Sequence, residues 1–586
     1  MKPLRLYNLI DSARYRRAAA AVFATLGAGM FALSGCSNAD DAQTDTSSGA
    51  ANQSVSTAST AVAIASTDEM AEATHYDSDD AEYDEQDVTD ISLDGTSATA
   101  SGADAAGVTV TEDSGEAVVT ISGTGTYRLS GSLTGQVVVT SASESAVQII
   151  LDGADIESTS GAALNVTSAD EVTVILADGS ENTLSDADSR PTDESDIDTE
   201  ANAALYSQAD LTITGMGALT VSGNYEDGIQ SKDGLVIDGS SVSVTAADDG
   251  IIGKDYLVLV AGDVDVNSVD TGFGSDNEEE ADRGWLSILG GTLTVATDDD
   301  AIKAVNAIAI VDGTIDVTRS GEAIEAADIT LAGGDLDLVA NDDGINASGG
   351  YGTASSTSGT ADAQASADDG EQSSQDDQSS AQGGGPGGME AAGDQAITIT
   401  GGTVEVTAGG DGLDSNGSVS MTGGTMTING PENDGNGAID VAGAFEISGG
   451  TLLSTGSSGM AQAPETTSEQ ASLAAALNSS VASGSTLAIA DSEGNIVTAF
   501  TTVKSVAHVV FSSADIQAGE QYTIYQLESE NQTDLSNATA LVITTAGDYT
   551  AGGMGTGGQP PAGPGSMNET LPDASTNESS TGQVVS

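Results

Sequence analysis

Basic residues are scarce in this sequence of 586 residues, which has 13 lysines and arginines against 91 aspartates and glutamates. Such an acidic surface repels nucleic acid and attracts multivalent cations, so nucleic acid is excluded as a partner. Histidine is almost absent, with only His75 and His508, and Cys36 is the one cysteine. The chain therefore has no intrachain disulfide framework and little material for catalysis by histidine or thiol.

The sequence also lacks a long hydrophobic run. Its longest, "AAAAVFATLGAGMFA" (18–32), is too short for a convincing membrane-spanning helix, and Arg14, Arg16 and Arg17 precede it. The following "LSGC" (33–36) resembles a bacterial lipobox, which implies cleavage before Cys36 and diacylglyceryl modification of its thiol. We expect a signal peptide over 1–35 and an exported, membrane-anchored lipoprotein on the bacterial cell surface. The alternative is an ordinary secretory signal with an incidental cysteine.

Three segments lack the apolar periodicity of folded structure. Residues 36–90 are rich in serine, threonine, alanine and acids, and we interpret them as a disordered tether. Residues 349–394 form a low-complexity insertion, and residues 546–586 form a tail rich in glycine and proline. We therefore predict a folded region between 91 and 545, interrupted by the insertion.

A short step made of an acid, a small residue and an aliphatic residue recurs along the middle of the chain. It is present in "ADDGIIGK" (247–254), and successive copies are 22, 22, 29, 22, 21 and 68 residues apart. The 29-residue step contains an insertion, "SDNEEEADRGW" (275–285), and the 68-residue step contains the 46 residues of 349–394. A period of about 22 residues with localised insertions indicates a repeat architecture. The first position of the step is occupied by Asp227, Asp249, Thr271, Asp300, Glu322, Asp343, Asp411 and, further on, Asp434.

Within each period the apolar residues alternate and helical spacing is absent. "LVIDGSSVSVTA" (235–246) and "ITLAGGDLDLVA" (329–340) each contain two short alternating runs joined by a turn with glycine. These features predict an all-β fold, a right-handed parallel β-helix over 91–455 with a C-terminal β cap over 456–545. A β-sandwich fits less well, because its strands do not repeat in sequence at a fixed length. We expect a monomer.

The order of several motifs resembles one family of exported bacterial proteins. The chain has "GTYRLSGSL" (125–133), "VQIILDGADI" (147–156) and "VTVILADGSENTLSD" (172–186), then the DDGI-like steps and "GGGPGGM" (383–389). This order is similar to that of carbohydrate-binding domain proteins of the pectate-lyase-like parallel β-helix type, over roughly residues 90–530. The resemblance implies a calcium-bearing fold that binds plant cell-wall polysaccharide without established catalysis. The step departs from DDGI in three copies, "VDTGFGS", "DDDAIKA" and "GEAIEAA".

The recurring carboxylates are candidate metal ligands. In a β-helix equivalent positions stack about 5 Å apart, and adjacent carboxylates repel one another unless a cation intervenes. Ca²⁺ takes six to eight oxygen ligands from carboxylates, carbonyls and water, and so suits such a row. The alternative is that each aspartate only caps its turn. The candidate ligands are Asp227, Asp248, Asp249, Asp299, Asp300, Asp342, Asp343, Asp411 and Asp414.

Three of the five lysines and several of the scarce aromatic residues lie in the same repeats. The lysines either steady the aspartates or contact uronate carboxylates and sugar hydroxyls. Aromatic rings offer an apolar face to a sugar, although a core role is the alternative for each of them. The candidate glycan-binding residues are Lys232, Lys254, Lys303, Tyr225, Tyr256 and Trp285.

Three functions stay open from the sequence. The first is a surface lipoprotein that binds polysaccharide such as pectin or cellulose along a calcium-bearing face, without catalysis. The second is a calcium-dependent polysaccharide lyase, with Lys254 or Lys232 as the base that removes the proton next to a uronate. The third is an adhesin or structural surface protein without a glycan ligand.

Overall fold

The computed structural model describes residues 63, 66–113, 115–142, 146–189, 201–351, 392–529, 532 and 534–549. The predicted signal peptide, Cys36, most of the insertion 349–394 and most of the tail 546–586 lie outside these ranges. The fold of the described residues is all-β with almost no helix, as predicted. These residues include one α-helix, α1 (Thr67–Ala73), and three short 3₁₀ segments, Ser78–Ala81, Ala105–Gly107 and Leu535–Asn537.

The strands follow one another at short intervals. The first nine are β1 (Val88–Gly95), β2 (Ser97–Ser101), β3 (Val108–Asp113), β4 (Glu116–Ile121), β5 (Gly125–Thr140), β6 (Val147–Glu157), β7 (Leu164–Ser168), β8 (Glu171–Leu176) and β9 (Glu181–Ser185). The repetitive region follows with β10 (Ala203–Ser207), β11 (Asp210–Gly215), β12 (Ala218–Gly223), β13 (Asp227–Ser231), β14 (Gly234–Ala246), β15 (Ile251–Gly253), β16 (Tyr256–Asn267), β17 (Phe273–Ser275), β18 (Trp285–Ile288), β19 (Thr292–Ala296), β20 (Ile302–Ala304), β21 (Ala307–Ile310), β22 (Thr314–Arg319), β23 (Ile324–Ala326), β24 (Asp328–Leu331), β25 (Asp335–Ala340), β26 (Ile345–Ala347), β27 (Ala396–Ile399), β28 (Thr403–Ala408), β29 (Leu413–Ser415), β30 (Ser418–Met421), β31 (Thr425–Asn429), β32 (Ile439–Val441), β33 (Phe445–Ile447) and β34 (Thr451–Gly456). The last six are β35 (Ser472–Val481), β36 (Thr486–Asp491), β37 (Ile496–Thr501), β38 (Val506–Ser512), β39 (Gln521–Leu527) and β40 (Thr539–Thr545).

Parallel pairing joins these strands into three ladders. The first ladder runs β4-β5-β7-β10-β13-β15-β17-β20-β23-β26-β29-β32. The second runs β1-β5-β6-β8-β11-β14-β16-β18-β21-β24-β27-β30-β33. The third runs β6-β9-β12-β14-β16-β19-β22-β25-β28-β31-β34.

Long strands connect the ladders. Because β6 and β14 each pair in both the second and the third ladder, six parallel strands close into a ring, β6-β8-β11-β14-β12-β9, and most other strands lie outside it. The alternating residues point aliphatic side chains inward at equivalent positions. Leu235, Leu257, Leu286 and Ile308, for example, pair in register and are buried in one continuous core.

Steric crowding explains why glycine occupies one position of the recurring step. A Cβ on Gly250 would collide with Cγ1 of Val266 and with the backbone carbonyl of Gly272 in the next repeat. The same kind of collision recurs at Gly228, Gly272, Gly344 and Gly412, each against a Val or Ile side chain. The step is therefore glycine-rich because the backbone passes close to a core side chain at this corner, and not only because it turns.

The C-terminal strands pair differently. In residues 456–545, where we predicted a β cap, all strand pairings are antiparallel. Strand β38 pairs with β34, the last strand of the third ladder, and thereby covers an edge that would otherwise present unpaired backbone groups. Strands β37-β36-β39-β40 form a separate four-stranded sheet with its own core, which includes Leu487, Ile489 and Ile524.

Part of the predicted tether is packed structure. Residues 66–87, which we placed within the disordered segment 36–90, contain α1 and lie against the second ladder, where Met70 is only 2% exposed. The prediction was wrong there because a few isolated apolar residues carry no periodicity, and their burial depends on a distant partner surface. None of the helices within the described ranges has the length and hydropathy of a membrane span.

Candidate functional site

The strand register places the recurring acids in one row. Successive pairs of the first ladder join Ile229, Ile251, Phe273, Ile302, Ile324, Ile345, Leu413 and Ile439. The residues two positions earlier therefore share a row, and the predicted spacing from Asp227 to Asp411 is confirmed. We call Asp227, Asp249, Asp300, Glu322, Asp343 and Asp411 the carboxylate row. Asp434 does not belong to it, because Leu413 pairs with Ile439 and puts Gly437 in that position.

A second line of acidic residues occupies the positions that precede members of the carboxylate row by one residue in the sequence. Asp248, Asp299 and Asp342 are exposed to solvent, whereas Asp227 and Asp300 are 2% and 4% exposed. The carboxylate row thus lies at the boundary between the core and the solvent, and the second line of acidic residues lies on its solvent side.

Several members of the row cap the next repeat. Oδ1 of Asp227 accepts the backbone N–H of Asp249 at 3.3 Å, and Oδ1 of Asp249 accepts that of Thr271 at 2.9 Å. Oδ1 of Asp343 accepts the N–H of Asp411 at 2.6 Å in the same way. The turn-capping role that we held as an alternative is therefore present. At Asp227 the second oxygen is engaged as well, since Oδ2 accepts from Nδ2 of Asn202 at 2.6 Å.

Burial makes the ionised form of these acids unfavourable. Loss of solvent, and then repulsion from Asp249, raises the pKa of Asp227 to about 8. Loss of solvent likewise raises the pKa of Asp249 and Asp343 to about 7 and that of Asp411 to about 6. At neutral pH the row consequently has a strong preference for a proton or a cation close to its oxygens.

Two groups of acids bring three carboxylates within 4.8 Å of one another, Asp300–Glu322–Glu325 and Asp343–Asp411–Asp414. The first group already holds a cation. The ammonium of Lys303 contacts Asp300 and lies 2.8 Å from Oε2 of Glu325. Burial alone would lower the pKa of Lys303, but the two carboxylates raise it overall. An internal ammonium thus occupies the place that a metal would take.

No basic side chain of the described residues forms an ion pair with the second group, Asp343, Asp411 and Asp414. Loss of solvent, and then repulsion from Asp343, raises the pKa of Asp414 to about 7. These three oxygen donors without a counter-ion are the chemistry that a hard divalent cation prefers.

A fourth oxygen supports this arrangement. Asn346 is 8% exposed and pairs in register with Asp414, and its Nδ2 donates to Oε2 of Glu322 at 2.9 Å. Its Oδ1 is buried and has no hydrogen-bond partner within the described part of the chain. Sequence reasoning did not select Asn346. The signal was present in "NDDGINA", where the residue after isoleucine occupies the column that contains Asp414.

The lysines do not form a single row. Ser231 pairs with Gly253, so Lys232 and Lys254 occupy neighbouring places as predicted, but Lys303 belongs to the column of Gly274. Lys232 is exposed, and Nζ of Lys254 lies 3.2 Å from Oε2 of Glu279. Glu279 comes from the acidic insertion 275–285, which brings carboxylates to the lysines that we expected to face a uronate.

Two of the predicted aromatic platforms are buried. Tyr256 and Trp285 are 2% and 4% exposed, and their rings stack on each other with centroids 4.9 Å apart. They lie on the second ladder, under residues 66–87, and not beside the carboxylate row. The prediction that they bind a sugar is wrong for this arrangement, because their surface is already covered. Tyr225 is partly exposed.

A family model described as "Carbohydrate-binding domain-containing protein" matches residues 115–370 and 322–435. Together the matches span residues 115–435, which is 321 of the 586 residues. The chain belongs to this carbohydrate-binding domain family. Its match includes the whole carboxylate row and both acidic groups, whereas residues 66–87 and the C-terminal antiparallel strands lie outside it.

A solved structure, that of the polysaccharide lyase-like protein from C. thermocellum as a gadolinium derivative, is similar at 32% sequence identity. The match covers 41% of this chain and 94% of that chain, with a TM-score of 0.38. No curated protein matches the chain significantly.

Substitution of Lys303 tests whether its ammonium compensates the carboxylates of Asp300 and Glu325 in this member of the carbohydrate-binding domain family. We expect Lys303→Met to lower the free energy of unfolding by about 1–3 kcal/mol in a chelator, because Asp300 and Glu325 lose their cation. Millimolar Ca²⁺ should restore part of the loss by taking the vacated position. Urea unfolding checks this, with Lys232→Met as the control at an exposed lysine. Equal losses in the two variants would contradict the role given to Lys303.

Proposed function

We propose that the matched region binds polysaccharide of the plant cell-wall type, such as pectin or cellulose, without catalysing its cleavage. One observation carries the proposal. The residues that the carbohydrate-binding family model matches, 115–435, are those whose ladders hold the carboxylate row and the acidic groups at the boundary between core and solvent. A regular row along parallel strands suits a ligand that is itself a regular polymer.

Calcium is the cation that we propose for the group Asp343, Asp411 and Asp414, with Oδ1 of Asn346 as a further ligand. These residues come from repeats on either side of the insertion 349–394, so one ion would hold the two repeats together. When bound, Ca²⁺ offsets two of the three negative charges and has coordination positions left for a uronate or hydroxyl oxygen. An acidic protein needs such a bridge to hold an acidic glycan, since like charges otherwise repel. The other predicted ligands, among them Asp248, Asp299 and Asp342, remain candidates for weaker sites.

The context of the site completes the proposal. We propose that the three parallel ladders wind as a right-handed β-helix, because parallel strands joined through other strands of the same fold are almost always connected with that hand. We also propose that lipidation of Cys36 anchors the protein to the membrane and that the matched region is displayed at the cell surface. The basis for both anchor and location is the sequence "LSGC" (33–36).

A sedimentation assay with insoluble polysaccharide tests the proposed binding. We expect the protein to co-sediment with pectate coupled covalently to beads or with cellulose more than with xylan, and the pectate-bound fraction to fall severalfold when a chelator removes Ca²⁺. Cellulose is uncharged, so its binding should respond less to the chelator. Equal, background-level sedimentation with every polysaccharide would favour an adhesin without a glycan ligand. Release of unsaturated uronates, seen as ultraviolet absorbance, would instead establish a lyase.

A further inference from the structure

Residues 66–87, which we call the strap, cover an apolar patch on the outer side of the second ladder. The side chain of Met70 is buried in this patch, and Tyr76 packs at its margin. The strap lies outside the residues that the family model matches, so it is an addition to the carbohydrate-binding region. The patch beneath it contains Val236, Tyr256, Val258, Trp285, Ala307 and Ala309.

Polar contacts fix the strap at several points along its length. The ring of His75 is bound at both nitrogens, since Nδ1 lies 2.7 Å from the Tyr256 hydroxyl and Nε2 lies 2.9 Å from Oγ1 of Thr212. The hydroxyl of Tyr76 donates to Asp238. Further along, the guanidinium of Arg128 donates to both carboxylate oxygens of Glu85 at 2.8 Å.

His75 is the contact that depends most directly on protonation. Its side chain is 8% exposed, and in the neutral form one ring nitrogen donates and the other accepts. A proton on the second nitrogen removes the acceptor that faces Tyr256 or Thr212 and brings a charge into the apolar patch. Burial lowers the pKa of His75 to about 4, against a smaller opposing effect of a hydrogen bond to the Leu211 backbone.

The charged groups around His75 come from several strands. Oδ1 of Asp210 lies 3.3 Å from Nδ1, and burial raises the pKa of Asp210, so its negative charge is lost at a higher pH than that of an ordinary carboxylate. Asp233 lies near Asp210, and repulsion between them adds to the burial that raises the pKa of Asp233 to about 7. The remaining charged groups at this face are Asp255 and Arg283, with Asp238 beside Tyr76 and Asp77 and Asp80 on the strap itself.

We propose that the strap is a pH-sensitive latch, closed over the Tyr256–Trp285 surface while His75 is neutral and released when His75 takes up a proton. A histidine whose pKa is lower in the closed state than in the open state favours closure at high pH. That contribution is complete above about pH 6.5, the ordinary histidine value, and is lost progressively as the pH falls toward 4. From these two pKa values, the equilibrium constant for closing the strap is expected to be roughly 20-fold smaller at pH 5 than at pH 7.

Hydrogen exchange of the full-length protein measures this equilibrium. We expect the amides of residues 66–76 to lose roughly 20-fold of their protection between pH 7 and pH 5, after correction for intrinsic exchange rates. Amides of β25, in the third ladder, should show no matching loss. Trp285 is the only tryptophan, so its quenching by acrylamide reports opening of the same surface, and quenching should increase over the same pH range.

Two matched variants test whether the pH dependence of strap protection comes from His75, because the chain has only two histidines. His75→Gln should abolish the pH dependence of strap protection, whether the strap stays closed or opens. His508→Gln, which removes the other histidine with a lowered pKa, should leave that dependence as in the wild type. A wild-type strap equally protected at both pH values, or an unchanged pH dependence in His75→Gln, overturns the proposal. These measurements need no glycan and are independent of the proposed binding function.

Discussion

Replacing Asp411 and Asp414 together by asparagine is expected to abolish the stabilisation that Ca²⁺ gives the protein. A ligand that binds only the folded state adds about 2.7 kcal/mol to the free energy of unfolding at a concentration 100 times its dissociation constant. In the wild type we expect a gain of this size on adding Ca²⁺, because Asp343, Asp411 and Asp414 offer converging oxygens without a counter-ion. The double variant keeps the side-chain volumes and loses two of the three negative charges. Its unfolding should therefore be the same with Ca²⁺ and with a chelator.

The matched control for this experiment is a pair of aspartates outside the acidic groups. Asp316 and Asp337 are exposed, lie on the third ladder and pair in register with each other. Their double replacement by asparagine changes the net charge by the same amount and should leave the calcium response intact. In the absence of metal, the Asp411→Asn and Asp414→Asn double variant should be at least as stable as the wild type, since it relieves repulsion among buried carboxylates. An undiminished calcium response in this variant would place the cation elsewhere.

The repeat made the register of the row predictable from sequence. Once Asp227, Asp249 and Asp343 are recognised as the same position, the parallel pairing of the first ladder follows, because equal spacing in sequence leaves one consistent alignment of the aliphatic residues. The alternation of buried and exposed residues in β14 is likewise visible in the letters of "LVIDGSSVSVTA" (235–246). Local pattern and long-range order agree wherever the repeat is regular.

The rest depends on contacts between segments without a shared period. Trp285 and Tyr256 resembled a sugar platform because both are aromatic and lie in the repeats. Nothing in their neighbourhood in the sequence shows that residues 66–87 pack over them. The partner of Lys254 is equally hidden, since Glu279 lies in an insertion whose path is set by Asn277, which caps Glu279 N–H and anchors itself on Asp255. Such contacts are determined by how distant segments pack in the folded protein, and the periodicity of the sequence does not predict them.

Without calcium, the free energy of unfolding is expected to fall as the pH rises from about 6.5 to about 8.5. The cause is the set of raised pKa values in the carboxylate row, about 8 for Asp227 and Glu322 and about 7 for Asp249 and Asp343, together with about 7 for the neighbouring Asp414. A carboxyl whose pKa is higher in the folded state stabilises the fold fully below its unfolded value near 4. That stability falls progressively above pH 4 and is gone above the folded value, so the interval from about 6.5 to about 8.5 contains the last part of the loss.

The size and the window of this effect distinguish it from other titrations. Allowing for partial solvent exposure and coupling among the acids, we expect a loss of about 3–5 kcal/mol between pH 6.5 and pH 8.5. His75 and His508 have pKa values lowered to about 4, so their effect lies below the window and has the opposite sign. Urea unfolding in a chelator at several pH values measures the slope. Asp227→Asn should reduce it, because this variant removes one of the two highest pKa values in the row, and Asp337→Asn should not.

Calcium should reverse the trend within the same window. Metal and protons compete for the oxygens of Asp343, Asp411 and Asp414, so calcium binds more tightly as these groups lose their protons. The stabilisation by calcium then grows over the pH range in which the metal-free protein weakens, and the two unfolding curves should diverge steadily with rising pH. Parallel curves would mean that the bound ion does not contact the acids with raised pKa. A metal-free curve that rises with pH would mean that these acids are ionised and already compensated by groups within the protein.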